Sequence, residues 1–206
     1  MKKFQILFLI LSFSSLTLQG QERKSALNHE IYASIGFAAD ESFFPECEPV
    51  FSGLNTSLQF KNQKYTNSLS LGYMINLSKS LGIGLSYSAS EMESDLWLNA
   101  AANKTASVDA KYNIFMLNAR YKWFVRGNFT LYSRVGLGSI KMNVSNPIME
   151  DLSSFAAITD WEDKSGFAWQ AVPVGLQYVL FNHLGIFAEG GIGVESCCSI
   201  GVKLLF

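Results

Sequence analysis

The sequence predicts an all-β chain folded as one eight-stranded antiparallel transmembrane β-barrel. Three observations predict it. Eight segments alternate apolar residues with small or polar ones at period two, short turns alternate with long connections, and the ionised residues of those segments fall on the face opposite the apolar one.

The first residues form a separate unit. Lys2 and Lys3 precede an apolar run from Phe4 to Leu11, and the chain turns small and polar through Ser12, Ser14, Ser15 and Gly20. This is the layout of a secretory signal peptide. The run is shorter than the roughly 20 residues of a spanning helix, so residues 1–20 are expected to be removed. Cleavage is expected near the Gly20 to Gln21 bond, although Leu18 fits the small-residue rule poorly and leaves the bond open by a few residues. Residues 21–28 are then a short periplasmic segment and residues 29–206 the barrel domain. Loss of Lys2 and Lys3 takes the formal charge from −1 to −3, and nothing in the composition suggests a nucleic-acid partner. Apolar residues make up 49% of the chain, yet no later stretch approaches the length of a membrane-spanning helix, so the hydrophobicity is distributed over strands.

The first strand places Ile31, Ala33, Ile35 and Phe37 against Glu30, Tyr32, Ser34 and Gly36. In the second, Leu69, Leu71, Tyr73, Ile75 and Leu77 alternate with Ser68, Ser70, Gly72, Met74 and Asn76. After a turn at Ser78, Lys79 and Ser80, the third sets Leu81, Ile83, Leu85 and Tyr87 against Gly82, Gly84, Ser86 and Ser88. The fourth carries Phe115, Leu117, Ala119, Tyr121 and Trp123 against Asn118, Arg120 and Lys122. A turn at Arg126, Gly127 and Asn128 leads to the fifth, with Leu131, Ser133, Val135 and Leu137 against Tyr132, Arg134, Gly136 and Gly138. The sixth reads as Val172, Val174, Leu176, Tyr178 and Leu180 against Ala171, Pro173, Gly175 and Gln177. Asn182 and His183 turn the chain into the seventh, where Ile186, Ala188 and Ile192 oppose Phe187, Glu189, Gly191 and Gly193. The eighth sets Ile200, Val202, Leu204 and Phe206 against Ser199, Gly201 and Lys203.

Connections after strands two, four and six are a few residues, whereas those after one, three and five run near 38–64, 91–109 and 142–166. Short periplasmic turns and three long extracellular loops have this asymmetry, which puts both chain ends in the periplasm. The apolar face must point outward. Turned inward, its aromatics would crowd an eight-stranded interior and Arg120, Arg134, Glu189 and Lys203 would face solvent singly; turned outward, it makes a lipid-facing band, and closure pairs every backbone group. Trp123, Phe124, Phe129, Phe181 and Phe206 then gather at the expected periplasmic ends, where an interfacial girdle belongs.

From the first strand to its end, the chain resembles the small outer-membrane β-barrel proteins related to the OmpA and OmpX barrels, especially the compact porin-like family common in Bacteroidetes. The most telling residues are those of the last strand, Ile200, Val202, Leu204 and Phe206, because a terminal aromatic resembles the signal such proteins offer the barrel-assembly machinery. The resemblance implies the outer membrane of a Gram-negative bacterium, with membrane lipid and lipopolysaccharide as neighbours. It does not imply one shared activity.

Candidate sites are few. Gly-x-Gly recurs at Gly82 and Gly84, Gly136 and Gly138, and Gly191 and Gly193. With no helix following, these read as space for neighbouring side chains and not as phosphate loops. Strand order places Lys203 between Glu189 and Glu30, so Glu30, Arg120, Arg134, Glu189 and Lys203, with Lys122, are expected to form an interior ion-pair network. Asp40, Glu41, Glu46, Glu48, Glu91, Glu93, Asp95, Asp109, Glu150, Asp151, Asp160, Glu162, Asp163 and Glu195 make the extracellular side acidic, without the spacing of a calcium loop. Cys47 in the first loop and Cys197 and Cys198 in the last are neighbours in a closed barrel. One disulfide from Cys47 to either partner, or three free thiols, both fit. His29 and His183 are the only imidazoles, and both map to the periplasmic rim.

No residue set specifies catalysis, a metal or a cofactor. The sequence therefore favours a structural or surface-interaction scaffold, displaying Phe43, Phe44, Phe51, Trp97 and Trp161 on its loops to an unnamed extracellular partner. A narrow porin-like conduit for small solutes is the alternative, ahead of the lipid-modifying enzymes that this barrel size also includes.

Overall fold

The structure is a computed structural model that describes residues 29–37, 58–98, 104–144, 148–149, 164–181 and 183–206. These residues form β1 (His29–Phe37), β2 (Leu58–Tyr65), β3 (Ser68–Asn76), β4 (Leu81–Leu98), β5 (Lys104–Arg126), β6 (Phe129–Val144), β7 (Ile148–Met149), β8 (Lys164–Phe181), β9 (Leu184–Gly193) and β10 (Cys198–Leu205). Neighbouring strands pair antiparallel around a ring, β1, β3, β4, β5, β6, β8, β9 and β10, and β10 returns to β1. Glu30 to Phe37 lie opposite Leu205 to Cys198, so the seam is laddered along the whole of β1. The fold is a closed eight-stranded antiparallel barrel. β2 and β3 are two lengths of one wall strand, both paired to β4 and joined at Thr66, whose backbone N–H donates to the Glu91 carbonyl at 2.8 Å.

The period-two pattern decides which side is out. Leu117 is 63% exposed, whereas Asn118 and Arg120 beside it are 1% and 3% exposed. Leu69, Leu71, Leu85, Val135, Leu137, Val202 and Leu204 join Leu117 in an apolar belt around the ring. Among the described residues no helix is long and apolar enough to cross a membrane. Three turns and both barrel termini share one end, termed the turn end. There the Arg126–Phe129 hairpin puts Gly127 at φ +59°, a left-handed conformation that a two-residue turn requires and glycine supplies without strain.

Three expectations are corrected. The connection near 91–109 is mostly a paired hairpin, since β4 and β5 continue in register to Leu96 opposite Ala106 and Trp97 opposite Lys104. Residues 58–65 and 142–144 are likewise strand, which shortens the first and third connections. The inner and outer faces of the sixth predicted strand change phase: Val172 is buried and Pro173 exposed, the reverse of the expectation, whereas Val174, Leu176 and Tyr178 do face outward. Pro173 has no N–H to donate, and register shifts against both β6 and β9 mark a bulge there. Third, Glu195 is buried inside the barrel and not exposed with the other acidic residues.

Candidate functional site

Among the described residues, polar side chains converge in the interior, which is layered from the turn end upward. In the lowest layer Glu30 of β1 is fully buried. Arg120 Nη2 reaches its Oε1 at 2.5 Å, Lys122 Nζ lies 3.5 Å from the same oxygen, and Lys203 Nζ lies 3.3 Å from Oε2. Asn76 Nδ2 donates to Oε1 at 2.9 Å and Asn76 Oδ1 accepts from Arg120 at 3.1 Å, while Lys203 also donates to Gln177 Oε1 at 2.8 Å. Three cations thus share one carboxylate, and neutral amides take up remaining donors, as charges in a low-dielectric interior require.

The second layer centres on Arg134 of β6. It donates to both oxygens of Glu189, at 3.2 and 2.7 Å, to Glu195 Oε2 at 2.8 Å and to Asn118 Oδ1 at 2.7 Å. Arg120 and Arg134 sit directly opposite each other on β5 and β6, where like charges repel. They are reconciled by turning to different carboxylates, with the Tyr132 ring beneath both Arg120 and Lys203, at 5.3 and 5.4 Å, and its hydroxyl donating to Glu189 at 2.9 Å. Glu30, Arg120 and Lys203 therefore form one cluster and Arg134 with Glu189 another. Lys203 bonds to Glu30 and Gln177, and Glu189 is taken by Arg134 and Tyr132.

Glu195 is the member that sequence reasoning missed. It stands on the turn between β9 and β10, which dips into the barrel. Gln170 clasps the turn by accepting from Glu195 N–H at 3.0 Å and donating to the Ser196 carbonyl at 2.9 Å, and Ser68 donates to the Glu195 carbonyl at 2.6 Å. Gly193, at φ +140°, begins the inward bend. The signal was parity: Phe187, Glu189, Gly191 and Gly193 are the inward row of β9, and Glu195 continues it.

The third layer, at the loop end, is apolar. Met92, Tyr112, Ile114, Met116, Ile140, Met142, Ala168 and Val194 are buried together, with Tyr65 and Val144 packed against them.

Glycines make the filling work. Tyr32, Tyr132 and Phe187 each lie across the ladder from a glycine, Gly72, Gly175 and Gly201, where any Cβ would strike the ring. At Gly84 and Gly138 a Cβ would meet the neighbouring strand's carbonyl, of Tyr73 and Phe115 respectively.

The remaining candidates lie elsewhere. His29 stacks between Tyr73 and Phe206 and shares a 2.5 Å hydrogen bond with the Tyr73 hydroxyl, and His183 Nδ1 lies 3.0 Å from the Leu205 carbonyl. Both are at the turn end, as is Phe206. Cys197 is half-buried and Cys198 exposed, and both are free. Their expected partner Cys47 lies outside the described residues, as do Phe43, Phe44, Phe51, Trp161 and the side chain of Trp97.

A closed barrel with an apolar belt and a charged, filled interior agrees with what family comparison finds. The model of the outer membrane protein beta-barrel domain matches residues 6–193. The chain belongs to that family. Its place is accordingly the outer membrane of a Gram-negative bacterium, with the apolar belt against lipid. No curated protein matches the sequence. Among solved structures, the chain is similar to the attachment invasion locus protein Ail of Yersinia pestis, solved with the heparin analogue sucrose octasulfate. Identity is 16% and the TM-score 0.42, over 86% of this chain and 95% of that one. It is also similar to OprG of Pseudomonas aeruginosa, at 13% identity and TM-score 0.42 over 88% and 93% of the two chains. AlkL in lipid bilayers is a third, at 13% and 0.39 over 92% of each.

Proposed function

We propose that this outer-membrane barrel is a closed, non-enzymatic scaffold that holds its loop segments at the cell surface and passes no solute. The observation that carries this reading is the layered interior: the Glu30 cluster, the Arg134 cluster and the apolar layer from Met92 to Val194 follow one another along the axis, each filled by side chains bonded or packed against one another. Both chain ends and the short turns then face the periplasm. The loop end faces outward among lipopolysaccharide, where an extracellular ligand of unassigned chemistry is met. Phe206 at the seam suits a signal to the assembly machinery. The two histidines are held at the turn end, by Tyr73 and by Leu205, away from the Arg134 carboxylates.

Planar-bilayer recording of folded protein, verified by its boiling-dependent gel shift, tests the reading. A silent membrane is expected. Stepwise ion currents altered by Arg134→Ala would overturn it in favour of a narrow conduit, and a changed lipid A mass on expression, lost in His29→Ala or His183→Ala, in favour of an enzyme.

A further inference from the structure

Glu195 differs from the other interior carboxylates in one respect: it rides on a turn, and the groups that receive it are held in place without it. Arg134 is clamped by the two bonds it donates to Glu189 and the one it donates to Asn118. Asn118 Nδ2 donates to Ser86 Oγ at 2.8 Å, and Ser88 shares a 2.8 Å hydrogen bond with Ser70. Into this prepared cup the turn inserts a carboxylate. Ser86 and Ser88 lie 3.2 and 3.1 Å from its Oε1, and Arg134 lies 2.8 Å from its Oε2. Arg134, Asn118, Ser86 and Ser88 are all buried, and buried Tyr32 stands beside Ser86 in the field of Arg134, Glu195 and Glu189.

We propose that Arg134, Ser86 and Ser88 form a carboxylate-binding site that the chain fills with its own Glu195, so that the β9–β10 turn is an intramolecular ligand and a small external carboxylate its competitor. Charge supports the ligand class. Across the two clusters four cations, Arg120, Lys122, Arg134 and Lys203, face three carboxylates, Glu30, Glu189 and Glu195, and withdrawal of Glu195 leaves a further unmatched positive charge. What else retains the turn is uncharged: the side-chain bonds of Gln170 and Ser68, the backbone bonds from Val194 N–H to Trp169 and from Cys197 N–H to Phe37, and Val194 packed in the apolar layer, each hydrogen bond being of modest net strength in a protein. The proposal goes beyond the scaffold reading and does not require conductance.

The test uses acetate as probe, against chloride at equal ionic strength. In the refolded Glu195→Ala barrel, acetate is expected to raise the temperature at which the compact gel band is lost, while the parent protein is unmoved. Adding Ser86→Ala and Ser88→Ala is expected to abolish the rescue. Equal response of parent and variant, or none in either, overturns the proposal. Should Glu195→Ala fail to fold in both salts, Glu195→Gln decides, in a Cys47→Ser, Cys198→Ser background that leaves only half-buried Cys197 as a thiol. Acetate is expected to displace the amide, free the turn and speed maleimide labelling of Cys197 several-fold; an unchanged rate overturns the proposal.

Discussion

Toward the turn end, β4, β5 and β6 are apolar outside and polar or small inside; toward the loop end all three are polar outside, and β5 and β6 are apolar inside, where β4 adds Met92 between Ser90 and Ser94. On β5 the outward row runs Asp109, Lys111, Asn113 and then Phe115, Leu117, Ala119 and Tyr121, while the inward row runs Ala110, Tyr112, Ile114, Met116 and then Asn118 and Arg120. β6 inverts between Leu137 and Lys141 outside, and between Arg134 and Ile140 inside. The crossing is marked on the outside by Tyr87, whose ring lies 4.9 Å from that of Phe115 and whose hydroxyl donates to Asn113 at 2.6 Å. An amphipathic aromatic at this level belongs to a lipid–water boundary. One continuous hydrogen-bonded wall thus serves two solvents. In lipid the outer face supplies the apolar surface and the interior must pair its charges, whereas in water the interior is an ordinary hydrophobic core.

If the lower region depends on charge pairing, Glu30→Ala has the largest effect of any single change, because it leaves Arg120, Lys122 and Lys203 buried without their carboxylate. Removing one partner of a buried pair costs about 3–5 kcal/mol, read as a lower urea midpoint for loss of the compact band. In the upper region the corresponding blow is a cavity. Ile114→Ala, fully buried in the apolar layer, is expected to cost about 2–4 kcal/mol by the same measurement. The outer faces separate the regions more sharply. Leu117→Arg places a charge against lipid at about 2–4 kcal/mol. Asn113→Arg, two strand pairs nearer the loop end, is expected to leave the midpoint within experimental error; equal costs at 113 and 117 would abolish the proposed boundary.

This inversion also explains what the sequence showed and what it concealed. Alternation with an apolar outer row is visible from Leu69 to Tyr87 and from Phe115 to Trp123, and with the like rows of the other five segments it was enough for strand count, order and direction. Past Tyr87 the outer row becomes Glu91, Glu93 and Asp95, which read as solvated loop because only one sign of alternation was sought; Met92 and Tyr112 on the inner row carried the continuing strand. Pro173 hid its bulge because a one-residue phase change leaves composition untouched. Within the interior, the inward position of Glu30, Arg120, Arg134, Glu189 and Lys203 was readable from parity. Which carboxylate each cation takes was not, since Arg120 and Arg134 are ladder neighbours separated only by how their side chains turn around Tyr132. Glu195 needed the turn geometry as well, because chain position alone groups it with the surface acids.

The smallest effect is expected where the upper region meets water. Glu91 and Lys111 are ladder partners with Nζ and Oε1 3.1 Å apart, yet their side chains are 60% and 61% exposed. Exposed pairs of this kind contribute about 0.2–1 kcal/mol, because solvent screens the attraction and ordering two long side chains offsets it. A double-mutant cycle with Glu91→Gln and Lys111→Met is therefore expected to return a coupling in that range that fades in high salt, while the Glu30 cluster keeps its dependence on charge. A coupling of several kcal/mol, insensitive to salt, would mean that this level of the wall is shielded from water by lipid or by the loops, and the boundary drawn through Tyr87 and Phe115 would have to move toward the loop end.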